Sequence, residues 1–246
     1  MKSATARVAA TLSVLMAPAL LADEVQVAVA SNFAPVLEQL EPLFEQQSGH
    51  TLTVISGATG NHYAQILNGA PFDVFLAADA ERPRQLEQQG KAVAGTSFSY
   101  ALGKLVLWSA DAGAVDPRGE VLNSREFRHL AIANPQLAPY GEAAQQALTA
   151  LGLWEQVQGR IVQGDNIAQT LQFVQTGNAE LGFVAKSQLL DVDGSGSYWE
   201  VPAELYAPIV QQGVLLHESV AARAFIEFMQ HDSTKTTIRE AGYELP

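Results

Sequence analysis

Three short stretches of this chain set hydroxyl or amide side chains where an apolar run gives way to a helical pattern, with no basic residue beside them. They are Val25-Gln26-Val27-Ala28-Val29-Ala30-Ser31-Asn32, Val54-Ile55-Ser56-Gly57-Ala58-Thr59-Gly60 and Asn134-Pro135-Gln136-Leu137-Ala138-Pro139-Tyr140-Gly141. The first residues of a helix carry unpaired N–H groups at the positive end of its dipole, so such joints attract anions. Serine, threonine and tyrosine hydroxyls add donors without adding charge. In a chain of formal net charge −12, three such joints point to an oxyanion held by neutral donors. The 56–60 loop is the sharpest of them. Gly57 and Gly60 let the backbone approach an anion, and the missing P-loop lysine argues against a triphosphate. Ser31-Asn32 would equally serve as a simple helix N-cap, and 138–141 as a surface turn with a packed tyrosine. Asn166-Ile167, after Gly164-Asp165, opens a further helix.

Positioning these joints requires alternating strands and helices. β-branched apolar runs at 25–30, 51–56, 72–77, 104–109, 130–134, 160–163, 181–185 and 209–216 read as strands. Helical spacing follows in Val36, Leu37, Leu40, Leu43 and Phe44, with a kink expected at Pro42, and again over 141–151, 168–175, 220–230 and 233–241. The alternation predicts an α/β fold with mostly parallel sheets flanked by helices. No Pro/Gly-rich linker divides the chain. Two lobes joined by paired crossovers, near 101–105 and 201–208, are therefore expected, with a ligand in the cleft between them.

Residues 1–22 read as an export signal: Lys2 and Arg7 precede an apolar run over 8–16 and a small-residue cleavage site at 19–22. Its removal would leave about 224 residues with 12 basic and 26 acidic side chains, a net charge of −14. Such a charge argues against nucleic acid as a partner. The chain has no cysteine, so disulfides, thiol catalysis and a lipidated N-terminal cysteine are excluded. Asp191-Val192-Asp193-Gly194-Ser195-Gly196 begins like a calcium loop, but Pro202 stands where the closing glutamate belongs. The histidines 50, 62, 129, 217 and 231 lack metal-ligand spacing; His62 is expected at a solvated helix position. There is no Gly-x-Ser-x-Gly elbow, and Asp73 and Asp79 read as turn-fixing residues.

Several motifs occur together in order: Val-Ala-Ser-Asn-Phe at 29–33, the Gly57-Ala58-Thr59-Gly60 loop, the 69–79 segment, Ala138-Pro139-Tyr140-Gly141, Gly164-Asp165-Asn166-Ile167-Ala168-Gln169, and the run at 177–184. Together they resemble the periplasmic molybdate-binding proteins, the solute receptors of molybdate ABC importers, from about Val25 to the C-terminus. The resemblance implies a two-lobed, type II-like periplasmic binding protein fold. Its lobes would be 23–103 plus 207–246, and 104–206. It also implies an anion site of Ser31, Asn32, Ala58, Thr59, Tyr140 and Ile167. Ser31 and Thr59 would give hydroxyls; Asn32, Thr59 and Ile167 would give backbone N–H groups. In one branch of the family a tyrosine after the Leu-Gly-x-Val run reaches the ligand; here that position is Ala185, and Tyr140 is taken instead.

Molybdenum would enter as molybdate through these residues, with no direct protein–metal bond and no cofactor. The expected partners are molybdate or tungstate and a membrane permease. The chain is expected to be a periplasmic monomer and not an enzyme. The alternatives are a receptor for sulfate or another tetrahedral oxyanion, or an exported phosphate- or sulfate-ester enzyme. The physical case stands apart from the family. About seven or eight charge-assisted hydrogen bonds, each worth roughly 1.5–3 kcal/mol, could offset the desolvation of a dianion. A site made only of donors also rejects hydrogen phosphate, whose O–H would find no acceptor.

Overall fold

The structure is a computed structural model that describes residues 22–124, 126–192 and 196–246. The export-signal reading, up to residue 21, and positions 193–195 of the calcium-like run lie outside the described residues. Among the described residues no group of His, Asp and Glu is placed to hold a metal ion.

The strands are β1 (Glu24–Ala30), β2 (Thr51–Gly57), β3 (Val74–Ala77), β4 (Phe98–Gly103), β5 (Leu105–Ser109), β6 (Leu130–Ala133), β7 (Ile161–Gly164), β8 (Leu181–Ala185), β9 (Ser197–Glu200) and β10 (Ile209–Leu215). The helices are α1 (Ala34–Ser48), α2 (Thr59–Leu67), α3 (Glu81–Gln88), α4 (Pro139–Ala150), α5 (Trp154–Val157), α6 (Ile167–Gln175), α7 (Val220–Met229) and α8 (Asp232–Glu240). They build two lobes, each a five-stranded sheet covered by helices, in the orders β2-β1-β3-β10-β4 and β7-β6-β8-β5-β9.

In each sheet the first three strands are parallel, and one strand runs backwards: β10 in the first, β5 in the second. The reversal follows from the chain path. β4 continues through Lys104 directly into β5, and β9 returns through 201–208 into β10. A strand that enters its sheet from the other lobe has no crossover helix to turn it parallel.

The strands β5, β6 and β8 are buried at every residue, as continuous apolar runs covered on two faces should be. On one face of the first sheet Leu37, Leu40 and Phe44 of α1 meet Phe225, Phe228 and Ile238. Phe44 stands edge-on to Phe225 at 5.4 Å. Ile66, Phe75, Leu86 and Leu216 fill the opposite face. In the second lobe Leu107, Ile132, Leu148 and Phe183 pack one face, and Trp108, Val174 and Val184 the other. The helix over Pro42 runs unbroken for 15 residues and stops at Gly49, whose φ of +74° only glycine adopts readily.

Candidate functional site

Each parallel strand that points at the cleft delivers a helix or turn to the same place. β1 ends at Ala30 before α1, β2 at Gly57 before α2, β6 at Ala133 before α4, and β7 at Gly164 before α6. Ser31, Asn32, Ala58, Thr59, Tyr140 and Ile167 come together around one small cavity of about 10 Å³. Alanine, glycine and proline complete its lining, and no charged side chain does so among the described residues.

Three of the helices that open on the cavity have no side-chain cap, as is also true of α3, α5 and α8. Phe33, Ala58 and Ala138 stand at the N-caps of α1, α2 and α4 without a side-chain hydrogen bond. Ser219 at α7 caps in the ordinary way, its hydroxyl accepting from Ala222 N at 3.0 Å. The helices that open on the cavity from β1, β2 and β6 thus leave their first N–H groups unclaimed by side-chain caps. Ser31-Asn32 is not the cap of α1, which starts three residues after Ser31. At α6, Asn166 Oδ1 takes the Gln169 N–H at 3.0 Å, while Ala168 N–H crosses the cleft to Ser31 Oγ at 3.4 Å.

The three hydroxyls share one condition: each already accepts a hydrogen bond. Ser31 Oγ takes Ala168 N–H, Thr59 Oγ1 takes Ala78 N–H at 3.1 Å, and Tyr140 OH takes Gln211 Nε2–H at 3.2 Å. Their own O–H protons are left to donate. Thr59 and Tyr140 are each 1% exposed and Ser31 5%, so an unanswered proton there is costly. Burial pushes the Tyr140 phenol well above its ordinary value, which keeps it a donor.

Positive charge is held away. His62 in α2 lies behind the loop and is buried, contrary to a solvated position. Its ring faces Gln65 Oε1 at 3.1 Å and Val29 O at 3.2 Å. Burial lowers its pKa, with those hydrogen bonds opposing. Arg82 sits at the cleft edge, paired with Asp79 and donating to Gln136 O at 3.0 Å from the first lobe to the second. Asp79 fixes a turn, accepting from Arg82 N, whereas Asp73 accepts from Gln26 N of β1 and ties two strands together. The lobes also touch through Gly60 N–H, which donates to Leu137 O at 2.7 Å.

Ala185 does not line the cavity; its N–H donates to Gln188 Oε1 at 3.0 Å, and Gln188 Nε2 reaches Ile167 O at 3.3 Å. Sequence reasoning missed Gln188, Gln211, Tyr100 and Tyr243, the buried polar groups behind the lining. One signal was present: two glutamines interrupt the apolar strand run Ile209-Val210-Gln211-Gln212-Gly213-Val214, and a buried amide needs a partner.

The sequence profile of the bacterial extracellular solute-binding proteins matches residues 25–244. The chain is 50% identical over 237 residues to the molybdate-binding protein ModA of Azotobacter vinelandii, covering 94% of each. It is 46% identical over 225 residues to the molybdate-binding protein ModA of Rhodobacter capsulatus, covering 90% of this chain and 88% of that one. The solved structure of the Azotobacter vinelandii periplasmic molybdate-binding protein superposes with a TM-score of 0.87 at 44% identity, covering 90% of this chain and 99% of that one.

Proposed function

The chain belongs to the bacterial extracellular solute-binding protein family, among its molybdate-binding members, and we propose that it binds molybdate in the periplasm and delivers it to an ABC importer. The observation that carries the reading is the polarity of the cavity. Its three hydroxyls each accept a hydrogen bond from an N–H group, which leaves their own protons to donate, and four helices begin around it.

Ser31, Thr59 and Tyr140 donate O–H to the oxyanion, and Asn32, Thr59 and Ile167 donate backbone N–H, with Ala58 shaping the loop. Six charge-assisted bonds of about 1.5–3 kcal/mol each stabilise a dianion without a counter-ion. Molybdate and tungstate offer only acceptors and have nearly the same size and charge, so the site takes both. Sulfate is smaller and reaches fewer of the donors. Hydrogen phosphate brings a proton that meets no acceptor.

The lobes close over the ion as units of 23–103 with 207–246, and 104–206, hinged at Lys104 and the 201–208 return. The reading as a receptor rather than an enzyme rests on the family and on a lining that offers donors but no base. A protein exported by residues 1–22, monomeric, with a membrane permease and no nucleic acid as partner, completes it. Titration calorimetry on the chain from residue 23 tests the proposal. Saturable one-to-one heat with molybdate and none with phosphate is expected; the opposite pair of results overturns it.

A further inference from the structure

The Tyr140 proton is left for an oxyanion when the group behind it donates rather than accepts, and a chain of four side chains fixes that group as a donor. Tyr243 gives its hydroxyl proton to the backbone carbonyl of Asn32 at 2.8 Å. Its oxygen then accepts from the Asn32 side chain at 2.9 Å, which places Nδ2 on that side. The second Nδ2 proton goes to Gln211 Oε1 at 2.9 Å, which the Tyr100 hydroxyl also faces at 3.1 Å. With Oε1 an acceptor, Gln211 Nε2 is committed as donor, and it meets the Tyr140 oxygen at 3.2 Å. The orientation set by one proton of the C-terminal segment is thereby passed to the anion cavity.

We propose that Gln211 is a positioning residue that sets the polarity of the site, holding Tyr140 as an obligate donor and so selecting a fully deprotonated tetrahedral dianion over a protonated one. The inference rests on the oxyanion reading of the cavity. Gln211 is 0% exposed and stands at the register shift where β10 slips against β4, the kind of irregularity that re-aims a side chain. The contact also needs Gly103. A Cβ there would fall 2.1 Å from the Tyr140 oxygen and 3.0 Å from Gln211 Nε2. The titratable groups facing Gln211 are Tyr100 from β4 and Tyr140 from α4, with Tyr243 of the C-terminal segment one step away through Asn32. Burial holds Tyr100 and Tyr140 protonated far past neutrality.

The test is Gln211→Glu in the chain from residue 23, with molybdate affinity followed from about pH 6 to about pH 9. A protonated carboxyl donates to Tyr140 as the amide does. An ionised one accepts the Tyr140 proton instead and turns the phenol's lone pairs to the cavity. Wild type is expected to stay within about twofold across this range, while the variant loses at least about tenfold as pH rises. The variant's pH dependence is expected to vanish when Tyr140→Phe is added. Persistence in the double variant would mean plain charge repulsion and overturn the proposal, as would a flat profile in the single variant. If the glutamate does not fold, Gln211→Met supplies the readout: phosphate then competes with molybdate more strongly than in wild type, and unchanged competition overturns the proposal. Failure of wild type itself to bind molybdate would instead overturn the reading of the cavity.

Discussion

Gly60→Ala separates binding from stability in one substitution. Gly60 lies in the first turn of α2, beside Thr59, with a φ outside the left-handed region. Its N–H donates across the cleft to Leu137 O at 2.7 Å. A Cβ at this position would sit 2.9 Å from Leu137 Cα and 3.0 Å from Leu137 O. Ordinary contact begins near 3.5 Å, so the lobes must part by about 0.5 Å or more at this point. Losing the cross-cleft hydrogen bond costs about 0.5–1.5 kcal/mol. Shifting the Thr59 donors relative to those of Tyr140 and Ile167 brings the total to about 1.5–3 kcal/mol. That corresponds to roughly a tenfold to 150-fold weaker Kd. The lobe cores are untouched, and alanine favours helix over glycine by up to about 1 kcal/mol. The helix gain roughly offsets the lost hydrogen bond, so the ligand-free Tm should stay within about 4 °C of wild type. Calorimetry with molybdate and thermal unfolding without it measure the two quantities. Affinity within about twofold of wild type would refute the cleft contact as part of closure.

Removing single donors gives graded losses. Thr59→Ala and Tyr140→Phe should each weaken molybdate binding by at least about tenfold in the same calorimetry, with Thr59→Ser losing less; unchanged affinity removes that hydroxyl from the site. Gly103→Ala drives a methyl into the Tyr140 hydroxyl, so a binding loss of about tenfold or more should accompany overpacking of about 1–3 kcal/mol in urea unfolding. His62 gives a pH test. Burial lowers its folded pKa below 6.5, so the unfolded chain takes the proton first. Stability linked to it is full above pH 6.5 and is lost as pH falls through the lower folded value. The urea midpoint should fall between about pH 7.5 and about pH 5.5 in wild type and fall less in His62→Gln; equal falls would contradict the assignment.

Of the strands that stop at the cavity, β1 and β6 are largely buried and read as apolar runs, while the edge strands β2 and β7 are half-exposed and were read from their β-branched residues. β1 and β8 needed nothing more than their Val, Ala and Leu content. β4 and β9 were not read as strands: Phe98–Gly103 is half-buried and Ser197–Glu200 spans four residues. Neither carries a periodicity that stands out from loop. The reversed sense of β5 and β10 follows from the path between lobes, which no local pattern encodes. The joints themselves were visible, and the structure gathers all six expected residues around one cavity. What lies behind them was not visible. Asn32 meets Gln211 across 179 positions and Tyr243 across 211, and contacts of that span leave no spacing to read. His62 was misjudged because its place in a short polar helix says little about the first turn, which is roofed by Phe72 and Phe75.

The central claim is that neutral donors alone hold a doubly charged oxyanion. A crystal structure of the chain with molybdate tests it most directly, through the atoms that meet the four oxygens. The hydroxyls of Ser31, Thr59 and Tyr140 and the N–H groups of Asn32, Thr59 and Ile167 are expected there. Arg82 should remain on Asp79 and Gln136. A lysine or arginine on an oxygen of the ion, or Ser31 and Thr59 turned away from it, would contradict the account.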